Sequence, residues 1–125
     1  MGLDTLQRLI QRNPLEANRV IVVVDGRPYT VAEVINLLQC PACPADLKQK
    51  ILNALASIGM DPPEIPEQWW SLAYARYAQK PETFVVFYRG RKWTKQDILR
   101  EIANRTDIGK EFVLMELGYL QELMK

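Results

Sequence analysis

Cys40 and Cys43 stand two residues apart in the run CPACP, residues 40–44. A cysteine pair just ahead of a helix can exchange disulfides, because a helix N-terminus lowers a thiol pKa. Pro44 is predicted to open a helix, which puts Cys43 at its cap. A thioredoxin-like pair, however, follows a strand in a strand-helix-strand setting, and here the preceding segment reads as helix. The expectation is a proline-stiffened loop with two reduced thiols, with redox chemistry at Cys40 and Cys43 as the alternative. A zinc site needs two more ligands. The chain has no other cysteine and no histidine, so only a site shared between two chains would remain.

The absence of histidine also removes Ser-His and Cys-His nucleophile pairs and the commonest acid or base near neutral pH. Asp, Glu, Lys and Tyr are left for acid-base work. No Gly-rich phosphate loop, Asp-x-Asp metal run or nucleophile elbow is present. These readings point to a non-enzymatic chain with no cofactor and no metal.

Two further constellations carry charge. In "TDIGKEFVLMELGYLQELMK", residues 106–125, a helical projection gathers Ile108, Phe112, Val113, Met115, Leu117, Tyr119, Leu120, Leu123 and Met124 over more than half the circumference. That arc is wider than one core-facing stripe. Glu116 falls inside it and Leu114 on the polar side. A carboxylate there needs a cation, for which Arg100 and Arg105 are the expected partners in a structural ion pair. The second constellation is "YRGRKWTK", residues 88–95. Arg89, Arg91, Lys92, Lys95 and Trp93 would make a cationic, aromatic hairpin tip able to grip phosphates beside a docked helix. Residues 95–120 even allow a helix-turn-helix, although Glu111, Glu116 and Glu122 make a poor surface for a polyanion.

These groups need a scaffold, and the chain writes its scaffold twice. With an offset of 64 between residues 20–38 and 84–102, Val22, Gly26, Arg27 and Thr30 recur as Val86, Gly90, Arg91 and Thr94. Apolar pairs such as Val20/Phe84 and Ile21/Val85 extend the match. Asp25-Gly26 and Arg89-Gly90 read as type I′ hairpin turns. Thr30 with Glu33 and Thr94 with Asp97 have capping-box spacing. Helices are expected at 4–13 and 67–79 before the hairpins, and at 44–59 and 107–125 after them. The predicted class is α+β: two pseudo-repeats of helix, β-hairpin, helix, helix in one domain with a small antiparallel sheet. The halves are residues 1–60 and 68–125, joined by a Pro-rich connector at 61–67 that acts as a stiff spacer.

Both long strands, VIVVV and FVVFY, are apolar at every position, so both faces are expected to be covered, by the chain's own helices or by a partner. The helix at 67–79 offers Trp70, Tyr74 and Tyr77 as one aromatic face, with Trp69 and Leu72 alongside; such a face is core, or a contact if exposed. A formal net charge of +1 gives no global pull toward nucleic acid or lipid. With no apolar run of membrane-spanning length and no signal-like start, a cytoplasmic location is expected.

The expected function is an adaptor or assembly factor that binds a protein partner or itself as an oligomer. Its contacts would be Arg89, Arg91, Lys92, Trp93, Trp69, Trp70, Leu114 and Tyr119. A winged-helix-like nucleic-acid binder is the second reading, and a thiol-disulfide protein the third.

Overall fold

The computed structural model describes residues 2–60 and 64–125. Asp61, Pro62 and Pro63 of the expected spacer lie outside the described residues. Helix α1 (Leu3–Arg12) leads through a 3-10 turn (Pro14–Asn18) to hairpin strands β1 (Val20–Val24) and β2 (Arg27–Thr30), then α2 (Val31–Gln39) and α3 (Ala45–Ile58). The second copy runs α4 (Glu67–Ala78), β3 (Val85–Tyr88), β4 (Arg91–Thr94), α5 (Lys95–Ala103) and α6 (Asp107–Leu123). The class is α+β, and each hairpin is its own two-stranded antiparallel sheet.

The paired turn and cap signals fold alike. Asp25 and Arg89 have φ of 51° and 52°, followed by Gly26 and Gly90 at 79° and 72°, the left-handed pair that a type I′ turn requires. Thr30 Oγ1 accepts from the Glu33 N–H at 3.2 Å while Glu33 Oε1 accepts from the Thr30 N–H at 2.9 Å. Thr94 and Asp97 repeat the arrangement at 3.1 Å in both directions. Each cap satisfies two backbone groups that the start of a helix would otherwise leave open.

The offset of 64 is not constant. Val20 pairs with Thr30 and Val22 with Tyr29, so Ile21 is an inserted, bulged residue. The second hairpin has no bulge: Val85 pairs with Thr94 and Val86 with Trp93. By register Val20 therefore matches Val85, not Phe84, and Ile21 has no counterpart. Beyond the bulge Val23 matches Phe87, and their cross-strand neighbours Pro28 and Lys92 match each other.

One continuous core draws on both copies. Helix α4 packs on β1 as well as on α5 and α6, and α3 packs on β1 and α6. Strand β1 thus lies between a helix of its own copy and the first helix of the next. Around Phe112 the rings of Trp93, Tyr88 and Tyr77 stand at centroid distances of 5.4, 5.9 and 6.3 Å. Gly109 lets α6 start hard against α5, since a Cβ there would sit 2.3 Å from the Glu101 carbonyl oxygen.

Candidate functional site

The site is the outward face of the second hairpin, and it is defined by comparison with the first. Residues opposite one another in an antiparallel pair share a face, so Val20, Val23, Pro28 and Thr30 form one face of the first hairpin. Val20, Val23 and Pro28 line a groove shared with α4 and α5; Val20 keeps only 5% of its surface, Val23 is half-buried and Pro28 is exposed. The same face of the second hairpin carries Val85, Phe87, Lys92 and Thr94. This face is the more open of the two: Val85 is 36% exposed and Phe87 78% exposed. Covering of both strands on both faces holds for β1 apart from half-buried Val23, and fails for β3. In β3 the apolar run does two jobs, Val86 and Tyr88 turning toward the core while Val85 and Phe87 meet solvent.

The first hairpin is also held by its backbone. Gln79, just after α4, accepts from the Val20 N–H at 2.8 Å through Oε1 and donates to the Asn18 carbonyl at 2.9 Å through Nε2. Arg76 Nη1 donates to the Val20 carbonyl at 2.8 Å. No such side chain reaches the backbone of Val85 among the described residues.

Of the expected cations at the tip, most are already engaged. Arg89 pairs with Glu111 of α6. Arg91 lies over the Trp93 ring at 3.9 Å and faces Asp97 at 3.8 Å. Lys95 is buried and bound to Glu82 at 2.9 Å. Lys92 is the exposed cation of the hairpin with no ion pair among the described residues. The Thr94 backbone N–H, with smaller help from Arg100, holds the Asp97 carboxyl below the usual aspartate range.

The aromatic expectations need correction. Trp93 is buried and its indole N–H donates to the Tyr88 carbonyl at 3.1 Å. Trp69 is buried with its N–H on the Ser57 carbonyl at 3.2 Å. Neither ring is available to a partner. Trp70 is half-buried beneath Arg105 at 4.8 Å. The buried stripe of α4 is Trp69, Leu72, Ala73, Arg76 and Tyr77, while Tyr74, expected on the packed face, is exposed. On α6, Leu114 is exposed, and so are Tyr119 and Met115 of the apolar arc.

Glu116 is buried and does find a cation, but not Arg100 or Arg105. Arg100 bonds Asp97 at 2.7 Å, and Arg105 holds Glu67, one contact at 2.8 Å. Glu116 instead accepts from Arg76 Nε at 2.9 Å, with Lys80 Nζ at 3.8 Å. Arg76 Nη2 reaches Glu16 at 3.3 Å. The fully buried guanidinium thereby ties the 3-10 turn and β1 of the first copy to α6 of the second. Burial pushes the Lys80 amine down and the Tyr77 hydroxyl up, Glu116 adding to the shift of the tyrosine and opposing that of the lysine. The signal for Arg76 was in the sequence: positions 69, 72, 73 and 76 share one helical face, so the arginine rides on an apolar stripe.

Cys40 and Cys43 are joined as a disulfide rather than kept as two reduced thiols. Their spacing across the α2-α3 turn brings the Cα atoms to 5.5 Å, within bonding reach. Pro44 is the cap residue of α3, so Cys43 precedes the cap.

A groove of about 600 Å³ runs between the first hairpin, α4 and α5, walled by Val23, Pro28, Trp70, Tyr74, Ala78 and Ile102 among others. Its size suits a small ligand. Its polar wall groups Gln79 and Arg105 are, however, committed to the Val20 and Asn18 backbone and to Glu67. The groove is the seam between the two copies.

Comparison with family models, with curated proteins and with solved structures yields no match. Among the described residues no helix is long and apolar enough to cross a membrane.

Proposed function

We propose that this chain is a non-enzymatic protein-interaction module whose contact surface belongs to the second copy. The observation that carries the reading is Phe87: in the first hairpin its counterpart Val23 is half-buried on the wall of the groove beside α4, whereas Phe87 is held in water by a folded strand. A large aromatic side chain kept exposed is of the kind that protein interfaces enrich. Leu114, Met115 and Tyr119 of α6 add exposed apolar area in the same copy. A partner bound there would meet Lys92 as the free charge. The nucleic-acid reading is weakened by the same geometry, because the arginines and Lys95 of the hairpin already face carboxylates.

The test is a photo-crosslinking phenylalanine analogue placed at Phe87 and, in a second variant, at Tyr119, irradiated in cells expressing the chain. The expected result is a protein adduct of defined mass from at least one of the two positions, competed by unlabelled protein. Adducts to nucleic acid alone, or none from either position, would overturn the reading.

A further inference from the structure

The disulfide between Cys40 and Cys43 joins the end of α2 to the residue just ahead of the α3 cap. A disulfide constrains the unfolded chain less as the loop it closes shortens, so a bond across so few positions is a poor staple. The helices on either side do not need one. Helix α2 is anchored by its capping box and by Val31, Val34 and Ile35, and α3 by Ile51, Ala54, Leu55 and Ile58. From 36 to 50 no residue is buried, and Leu37, Leu38 and Leu47 meet the core with only part of their surface. The disulfide therefore lies in a surface turn that can open while both helices stay packed.

Its surroundings also favour reaction. Pro41, Ala42, Pro44 and Ala45 are exposed and both cysteines are partly exposed, so the approach to the sulfurs is lined by small, uncharged residues. Pro44 gives α3 no side-chain cap, and the Ala45, Asp46 and Leu47 N–H groups find no acceptor among the described residues. Those open donors and the helix dipole favour a negative charge beside them, and the sulfur directly ahead of them is that of Cys43. Asp46 of the same turn opposes this, with Lys48 and Lys50 following it in α3 as counter-charges. A thiolate stabilised at Cys43 leaves more readily and makes the pair a stronger oxidant.

We propose that Cys40 and Cys43 form a thiol-disulfide exchange site of the folded chain that takes two electrons from a dithiol, with Cys43 as the sulfur that carries the mixed disulfide. This goes beyond the interaction-module reading and does not rest on it. One substrate thiolate attacks Cys43 Sγ; the bond to Cys40 breaks, and Cys40 leaves with the electron pair and takes up a proton. The second substrate thiolate attacks the substrate sulfur of the mixed disulfide, and Cys43 leaves as the thiolate that the start of α3 stabilises. The substrate ends as a disulfide and the pair as a dithiol, one equivalent per chain. A dithiol is the fitting substrate because its second thiolate completes the exchange within one molecule, at high effective concentration.

The probe is a synthetic peptide with two cysteines about four residues apart, mixed anaerobically with the oxidised full chain and followed by mass after alkylation. The folded chain should oxidise the peptide one for one, and oxidised glutathione should close the pair again. Reduction should leave a cooperative unfolding transition and move amide shifts only near residues 36–50. The single thiol left in C40S should react with dithiodipyridine about fivefold faster than that left in C43S. Pro44→Asp in the C40S background, which puts a carboxylate on the open N–H groups, should slow that thiol about threefold. Peptide oxidation that begins only when urea unfolds the chain, or loss of the cooperative transition on reduction, would make the bond a staple and overturn the proposal. A pair that stays reduced in oxidised glutathione, or a Cys43 thiol no faster than that of Cys40, would overturn it as well.

Discussion

The two hairpins share turn geometry, capping boxes and strand length to within a residue, yet one is the centre of the molecule and the other its edge. The first is clamped between α3 and α4, its backbone held by Gln79 and Arg76. The second rests on the core through Val86, Tyr88 and Trp93 and shows solvent its other side. The same local instructions therefore produce the same local structure. Beyond the Ile21 bulge and the exchange of Pro28 for Lys92, what separates the copies is which helix follows in the chain: α4 comes after the first hairpin and packs back on it, while no described helix returns to cover the second.

The comparison breaks most severely at Arg76. Arg76→Met leaves Glu16 buried without a cation and Glu116 with Lys80 alone, and loss of one partner of such a network costs about 3–5 kcal/mol. Urea unfolding is expected to show that loss, and replacing Glu16 and Glu116 by apolar residues in the same variant should recover much of it. An R76M protein as stable as the parent would mean that α4 is not what holds the first hairpin.

Next come matched truncations of the outward valines. Val20→Ala removes two methyl groups from a packed site and should cost about 2 kcal/mol. Val85→Ala, at the matching register position, should stay within about 0.5 kcal/mol. Equal losses would show that β3 is covered after all.

The caps should respond alike. Thr30→Ala and Thr94→Ala each remove the acceptor that satisfies a first-turn N–H, a loss of about 1 kcal/mol. A much smaller effect at Thr94 would show that the exposed hairpin holds its cap less firmly, and hydrogen exchange at Asp97 would report it directly.

The smallest expected effect is a pH dependence at Asp97. Its carboxyl is held below the ordinary aspartate range by the Thr94 N–H, so the folded state binds this proton less readily than the unfolded chain. Its contribution is present above the unfolded pKa and is lost as pH falls. Asp97→Asn should be slightly less stable than the parent at neutral pH, with the gap closing below about pH 4. A gap that stays constant down to acid pH would remove the charge from the explanation of that cap.

Much of this was legible in the residues. Asp25-Gly26, Arg89-Gly90 and the two Thr caps act through their nearest neighbours, so their spacing alone located both hairpins and the helices after them. The bulge at Ile21 was not legible, because an inserted valine-like residue in VIVVV leaves no change in pattern. Exposure of Phe87 was missed for a related reason: an all-apolar strand hides which face is wet, and the telling residue was Lys92, opposite it on the neighbouring strand. Glu116 announced that it needed a cation. Which cation it found depended on how α4 crosses α6, a tertiary arrangement that helical periodicity does not encode.

The buried guanidinium has a consequence for the order of events when the chain is made. Glu16 waits for Arg76, sixty positions later, and Arg76 for Glu116, forty positions beyond that. A ribosome releasing the chain in order delivers the first hairpin long before either α4 or α6, and local turns and caps can form at once while the interior around Val20 cannot close. The first copy is thus the earlier to be synthesised, yet it is finished no sooner than the second. Its completion is timed by helix α6, and the slow step of folding should be sensitive to Glu116 far more than to either hairpin turn.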